Sequence, residues 1–170
     1  MTRRFIGLFA AALMVASCGY RLRGTGSYLP SHIKRISIPM FKNMTTRYEL
    51  DLRLTRAVID EMTARAKVEV LSEAGRADAV LIGEVLAFRV YPIAFSGEAA
   101  ADRYNITITV RIVLRDLVNQ KVLFSNPAFA YVMEYEVPEG ADFESLETEA
   151  IGKASEDFAR TIVVNILEGF

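Results

Sequence analysis

The sequence predicts a two-layer α+β sandwich: a mixed, mostly antiparallel sheet of about five strands with two amphipathic helices on one face, in the order βαββββα. Three observations carry that prediction. From Tyr104 to Arg115 apolar and polar residues alternate almost without a break, the period-two pattern of a strand with one buried and one wet face. Residues 46–66 and 142–160 instead repeat their apolar positions at three and four, as amphipathic helices do. Shorter alternating runs lie between and before these segments, and no internal repeat is apparent.

Taken in order, Ile33 to Met40 sets Ile36, Ile38 and Met40 against smaller or polar neighbours, which predicts a first strand that Pro39 ends. Thr46-Arg47-Tyr48-Glu49 reads as a capping box opening a helix. Tyr48, Leu52, Thr55, Ile59, Met62 and Ala66 would form its inward stripe. Glu49, Arg53, Arg56 and Asp60 would form a solvated face of i,i+4 pairs. Val68 to Leu71 is a short second strand, parallel to the first because a helix connects them. Ala79 to Tyr91 is the third, with Val80, Ile82, Leu86, Phe88 and Val90 on one face, Glu84 interrupting it and Pro92 closing it.

The fourth strand places Tyr104, Ile106, Ile108, Val110, Ile112 and Leu114 inward and Asn105, Thr107, Thr109, Arg111, Val113 and Arg115 outward. Asp116 to Lys121 turns the chain into the fifth strand, Val122 to Val137, with Phe129, Tyr131, Met133, Tyr135 and Val137 on one side. Pro127 argues for an edge position or a bulge there. Asp142 is an N-cap for the last helix, and Glu144 meets the positive end of its dipole. Phe143, Ala150, Ala154 and Phe158 form its buried side; Glu149, Lys153, Glu156 and Arg160 its wet side. The apolar tail 162–167 is either buried from several directions or docked on a partner, and burial is the favoured reading.

The totals bound the function. A net charge of −1 offers no basic excess with which to displace counterions from nucleic acid, so no nucleic-acid partner is expected. The single cysteine rules out an internal disulfide. His32 is the sole histidine and reads as a surface residue at the start of a strand, so neither a metal cluster nor a nucleophile, base and orienter set is expected. The chain reads as non-catalytic, without cofactor or metal. Gly24-Thr25-Gly26 follows no strand and precedes no helix, which argues against a phosphate loop.

The N-terminus reads as an address. Arg3 and Arg4 are followed by an apolar run from Phe5 to Val15 and by small residues at Ala16 and Ser17, the layout of a secretory signal peptide over residues 1–17. A helix rising about 1.5 Å per residue needs roughly 20 apolar residues to span a bilayer, so this run is too short to stay as an anchor. Val15-Ala16-Ser17-Cys18 resembles a bacterial lipobox, which implies a diacylglycerol on the Cys18 thiol and cleavage just before it. The alternative is an ordinary signal peptide with a chance cysteine at the cut. Gly19, where an aspartate would resemble inner-membrane retention, implies the outer membrane, facing the periplasm. Residues 18–31, rich in Gly, Ser and Pro, read as a lipidated tether that becomes ordered near Pro30, and residues 32–170 as a single domain.

Cys18-Gly19-Tyr20-Arg21-Leu22-Arg23-Gly24, together with the order of elements after it, resembles the LptE family of lipopolysaccharide-assembly lipoproteins. The resemblance implies a non-catalytic outer-membrane lipoprotein, anchored by the lipid on Cys18. Such a protein plugs the barrel LptD, assists its assembly and supports delivery of lipopolysaccharide to the outer leaflet. The face made by Asn105, Thr107, Thr109, Arg111 and Arg115 would then meet the barrel, although such a face suits plain water equally. The resemblance also implies contact with anionic sugar phosphates. Arg89 and Arg103 are the nearest cations, and each either pairs a phosphate or stands as a solvated strand end. An auxiliary envelope lipoprotein that binds a lipid for a transporter is the alternative; it would hold an apolar pocket between sheet and helices.

Overall fold

The computed structural model describes residues 29–96, 100–138 and 140–169; the leader, Cys18 and the tether up to residue 28 lie outside them. The elements are β1 (Arg35–Ser37), β2 (Lys42–Asn43), α1 (Leu50–Arg65), β3 (Glu69–Leu71), a 3-10 turn (Ala74–Arg76), β4 (Ala79–Ser96), β5 (Ala100–Asp116), β6 (Lys121–Glu136) and α2 (Phe143–Glu168). They form one mixed sheet in the order β3-β1-β4-β5-β6, with β2 paired to β4. The β1–α1–β3 crossover makes the parallel part, and β4, β5 and β6 make an antiparallel meander. α1 packs on β2 and β3, α2 on β5 and β6, and the helices pack on each other. The predicted two-layer α+β class is the observed one, with a sixth strand. β2 is two residues long, too short to show a period.

The core lies where β5 meets the helices. Ile106, Ile108, Val110, Ile112 and Leu114 are all fully buried, as the alternation predicts. From α2 they meet Ile151, Ala154, Phe158, Ile162 and Ile166. Burying each large side chain stabilises the fold by about 1.5–3 kcal/mol before entropy is counted. Ile162, Val163 and Ile166 are buried within this core, so the apolar tail of α2 is covered by its own fold. Asp142 caps α2, its carboxylate accepting from the Ser145 N–H at 3.3 Å, and the Ser145 hydroxyl donates to the same oxygen. Phe143, expected inside, is 40% exposed and instead sits edge-on to Tyr104 at 5.1 Å.

Several expectations are overturned. The capping box is not made: α1 begins after Glu49, which is left-handed at φ 57 and makes no side-chain cap. Asn43 takes over the approach, accepting from the Thr45 N–H and hydroxyl and donating to the Arg47 carbonyl. Because the helix starts later, its inward stripe is Leu50, Leu54, Thr55, Val58 and Met62, rotated by about a quarter-turn from the predicted one. Tyr48 and Leu52 stand in solvent. Thr55 lies inside because its hydroxyl accepts from the buried Phe41 N–H at 2.9 Å and donates to the Asp51 carbonyl at 2.6 Å. Phe41, not Met40, is the residue that turns inward after β1. The pairs Glu49–Arg53 and Arg56–Asp60 do not form; among the described residues the i,i+4 ion pair of α1 is Glu61–Arg65.

A further correction concerns β4, which runs through Pro92 to Ser96 and contains a register shift between Val85 and Ala87. A bulge adds one residue and exchanges the faces of a strand. Before it, Leu81 and Val85 are inside and Ile82 is 43% exposed; after it, Phe88 and Val90 pack on the core. The predicted single face Val80, Ile82, Leu86, Phe88 and Val90 is therefore divided between two. The proline in β6 behaves as expected on both counts: the strand is an edge, and its register shifts between the pairs Val110↔Phe129 and Ile112↔Asn126, around Pro127.

Candidate interaction surface

Both helices occupy one side of the meander, so β4, β5 and β6 present an open face on the other. Along β5, Asn105, Thr107 and Thr109 are half-buried and Arg111 and Arg115 exposed; all five share this face because they alternate with Ile106, Ile108, Val110, Ile112 and Leu114, which are fully buried on the other. Arg111 reaches across to Glu84 on β4 at 2.6 Å. Asn105 donates weakly to the Tyr91 hydroxyl at 3.5 Å. Ile82, Tyr91, Ile93 and Val132 add exposed apolar area. Ile82 was expected on one face with Phe88 and Val90, and Tyr91, Ile93 and Val132 were given no place on this surface, because only cross-strand register and the β4 bulge bring the four to the side that carries the threonines.

Arg89 and Arg103 lie on the same face but apart. Arg89 is opposite Thr107, while Arg103 is four positions further along β5, opposite Ala94 and Glu136, a separation of about 14 Å at strand rise. Arg103 also faces Glu134 at 3.9 Å, whereas no ion-pair partner is found for Arg89 among the described residues. Arg103 is therefore partly engaged by a carboxylate, and Arg89 is the less engaged cation of the two.

A cleft of about 480 Å³ opens beside β6 and α2, lined by Arg103, Met133, Glu134, Tyr135, Glu136, Leu146, Glu149, Ala150 and Lys153. Tyr135 stacks on Tyr104 with ring centroids 5.6 Å apart. Its hydroxyl is buried without a hydrogen-bond partner, and burial, with Glu147 and Tyr104 nearby, pushes it up to about 12. Arg47 holds Glu147 at 3.0 Å and lies over the Phe88 ring at 5.7 Å, tying the approach to α1 to the first turns of α2.

At the opposite end of the sheet His32 is engaged. Its Nε2 lies 2.8 Å from Asp116 Oδ2 and 3.1 Å from Asn119 Nδ2, pinning the segment before β1 to the β5–β6 turn. Burial pushes the Asp116 carboxyl up, but bonds from the Asn119 N–H, the Asn119 amide, His32 and the Val118 N–H outweigh it, and the result is about 2. The Arg35 side chain first, then the Lys34 N–H, hold Asp78 at about 2 as well. Both carboxyls are thus depressed below 3.8, so the unfolded chain takes up their protons first. Their stabilisation is complete above about pH 5 and disappears as pH falls through 2. In urea titrations from pH 5 to pH 2, the gap between wild type and Asp78→Asn should close as pH falls; a constant gap would contradict these networks.

Among the described residues no group of three His, Cys, Asp or Glu could hold a metal ion, and no helix is long and apolar enough to cross a membrane. What the geometry offers is surface: a small two-layer α+β domain with one greasy layer and one open, largely polar sheet face.

The family is shown by sequence. The model of LptE, lipopolysaccharide-assembly, matches residues 33–166, and the chain belongs to that family. Among curated proteins none matches it by sequence. The fold is similar to that of an uncharacterized lipoprotein B of Nitrosomonas europaea, with TM-score 0.57 and 15% identity over 88% of this chain and 90% of that one. It is similar to rare lipoprotein B of Shewanella oneidensis, with TM-score 0.50 and 13% identity over 80% and 92%. A hypothetical protein of Chlamydia trachomatis gives TM-score 0.54 at 12% identity, over 81% and 97%. At such identities the likeness is one of fold.

Proposed function

We propose that this chain is a non-catalytic outer-membrane lipoprotein, anchored through lipid on Cys18, that occupies the lumen of the barrel LptD, assists its assembly and supports delivery of lipopolysaccharide to the outer leaflet. Membership of the lipopolysaccharide-assembly family supports the process. The observation that carries the docking is the open face of the meander. Barrel lumens are polar, and Asn105, Thr107, Thr109, Arg111 and Arg115, with Glu84 beside them, offer hydrogen-bonding groups of both kinds and both signs of charge. A lipid carrier would instead need an apolar chamber between sheet and helices; the middle of that layer is filled by fully buried Leu81, Ile108 and Phe158, and the cleft at its β6 edge is lined by Arg103, Glu134, Glu136, Glu149 and Lys153 as well as by apolar side chains. Arg89 and Arg103, on the same face, are the cations nearest to hand for sugar phosphates.

The test is mass spectrometry of the detergent-extracted native complex, with and without Cys18→Ala. An intact LptD barrel bound to a protein that begins at an acylated Cys18 is expected. The variant, lacking several acyl chains each worth about 0.8 kcal/mol per buried methylene, should be recovered unacylated and held in the membrane fraction through the barrel alone. A leader cut elsewhere with a free thiol at Cys18 removes the anchor, and a complex without a barrel removes the partner.

A further inference from the structure

We propose that the free edge of β6 over Phe129–Glu136 accepts an added β-strand from the barrel partner. This rests on the barrel reading above and deepens it by naming the element that is engaged. β6 ends the sheet, so half of its backbone N–H and C=O groups have no ladder on that side. Beyond the irregularity at Pro127, the register from Val110↔Phe129 to Arg103↔Glu136 is unbroken, giving a straight edge eight residues long. The opposite edge strand, β3, has three residues. Proteins usually blunt such an edge with proline, lysine or a bulge; in this stretch the only charges are Glu134 and Glu136.

The cleft follows the same edge. Its walls come from both faces of β6, Met133 and Tyr135 on the helix side and Glu134 and Glu136 on the other, with Leu146 and Ala150 of α2 opposite. Strand addition works by this combination: main-chain bonds supply affinity and a neighbouring pocket takes alternate side chains. With Glu134 facing Arg103, the rim is left with Glu136 and Glu149 against Lys153, a net negative charge. The incoming strand therefore carries an apolar side chain toward Leu146 and Ala150 and a lysine or arginine toward Glu136 and Glu149.

A photo-cross-linking residue is placed at Val132, which is 52% exposed on β6, and at Arg111 on the open face, in full-length protein in its native membrane. Hydrogen exchange then compares the purified complex with the protein alone. Cross-links to the barrel from Val132, with alternate amides of 129–136 slowed at least about tenfold in the complex, support strand addition. Barrel cross-links from Arg111 with unchanged exchange in 129–136 overturn it and leave the barrel reading standing. No barrel cross-link from either position overturns both. A Val132 cross-link to a second copy of this chain assigns the edge to self-association and overturns the proposal.

Discussion

Gly83→Ala is expected to lower the unfolding free energy by about 1–3 kcal/mol, and Gly83→Val by more. A Cβ at position 83 would lie 2.6 Å from three ring carbons of Phe41, closer than real contacts allow, and the ring has nowhere to go. Phe41 is 2% exposed, and its backbone N–H is fixed by the Thr55 hydroxyl on α1. Gly83 sits in the interior of β4 opposite Ile112, where a glycine ordinarily weakens a strand by roughly 0.5–1 kcal/mol relative to alanine. Here that cost is outweighed, because the bare backbone lets an aromatic ring lie flat on the sheet. The pair can be separated by a double-mutant cycle. Phe41→Ala alone should cost about 3–5 kcal/mol. In that background Gly83→Ala should become neutral or stabilising, since its methyl enters the space the ring vacated. Additive effects in urea unfolding would contradict this account of the glycine.

The same contact marks where sequence reasoning stops. β5 was fully legible: flanked by β4 and β6 and covered by helices on one side, it must obey a strict period of two from Tyr104 to Leu114. Pro127 and the Asp142 cap were legible because each acts on the backbone nearby. β4 was legible as a strand but not in its faces, since nothing in Val85-Leu86-Ala87 announces a bulge. α1 was legible as a helix, but its phase was taken from a capping box that Asn43 and a left-handed Glu49 displace. The contacts that fix the domain's ends, His32 to Asp116 and Arg47 to Glu147, join residues 84 and 100 positions apart, and no local pattern encodes them. The candidate surface divides likewise. The threonine and arginine row of β5 was readable, while Tyr91, Ile93 and Val132 join it only through register, and the β6 cleft exists only because α2 stops short of covering that edge.

Phe158→Ala is expected to cost about 3–5 kcal/mol, a large share of the roughly 5–15 kcal/mol that holds a domain of this kind. Phe158 is fully buried in the middle of α2 and meets Phe129 of β6 edge-to-face, with centroids 5.6 Å apart at 65°, a geometry worth about 0.5–1.5 kcal/mol beyond area alone. Phe129 reaches that position because the shift at Pro127 adds a residue to β6; without it Ala128 would occupy the inward place opposite Val110. Phe129→Ala should cost less, since its ring is only half-buried, and the two changes together should cost less than their sum. The two variants should loosen the fold in the same place. An edge strand is held by one ladder and by what packs on it, so losing either ring frees β6 before β4 or β5. Hydrogen exchange in either variant should therefore rise first in 129–136 while Leu81 and Ile112 stay protected. If protection falls evenly through all three strands, the aromatic pair is not what holds the edge in place.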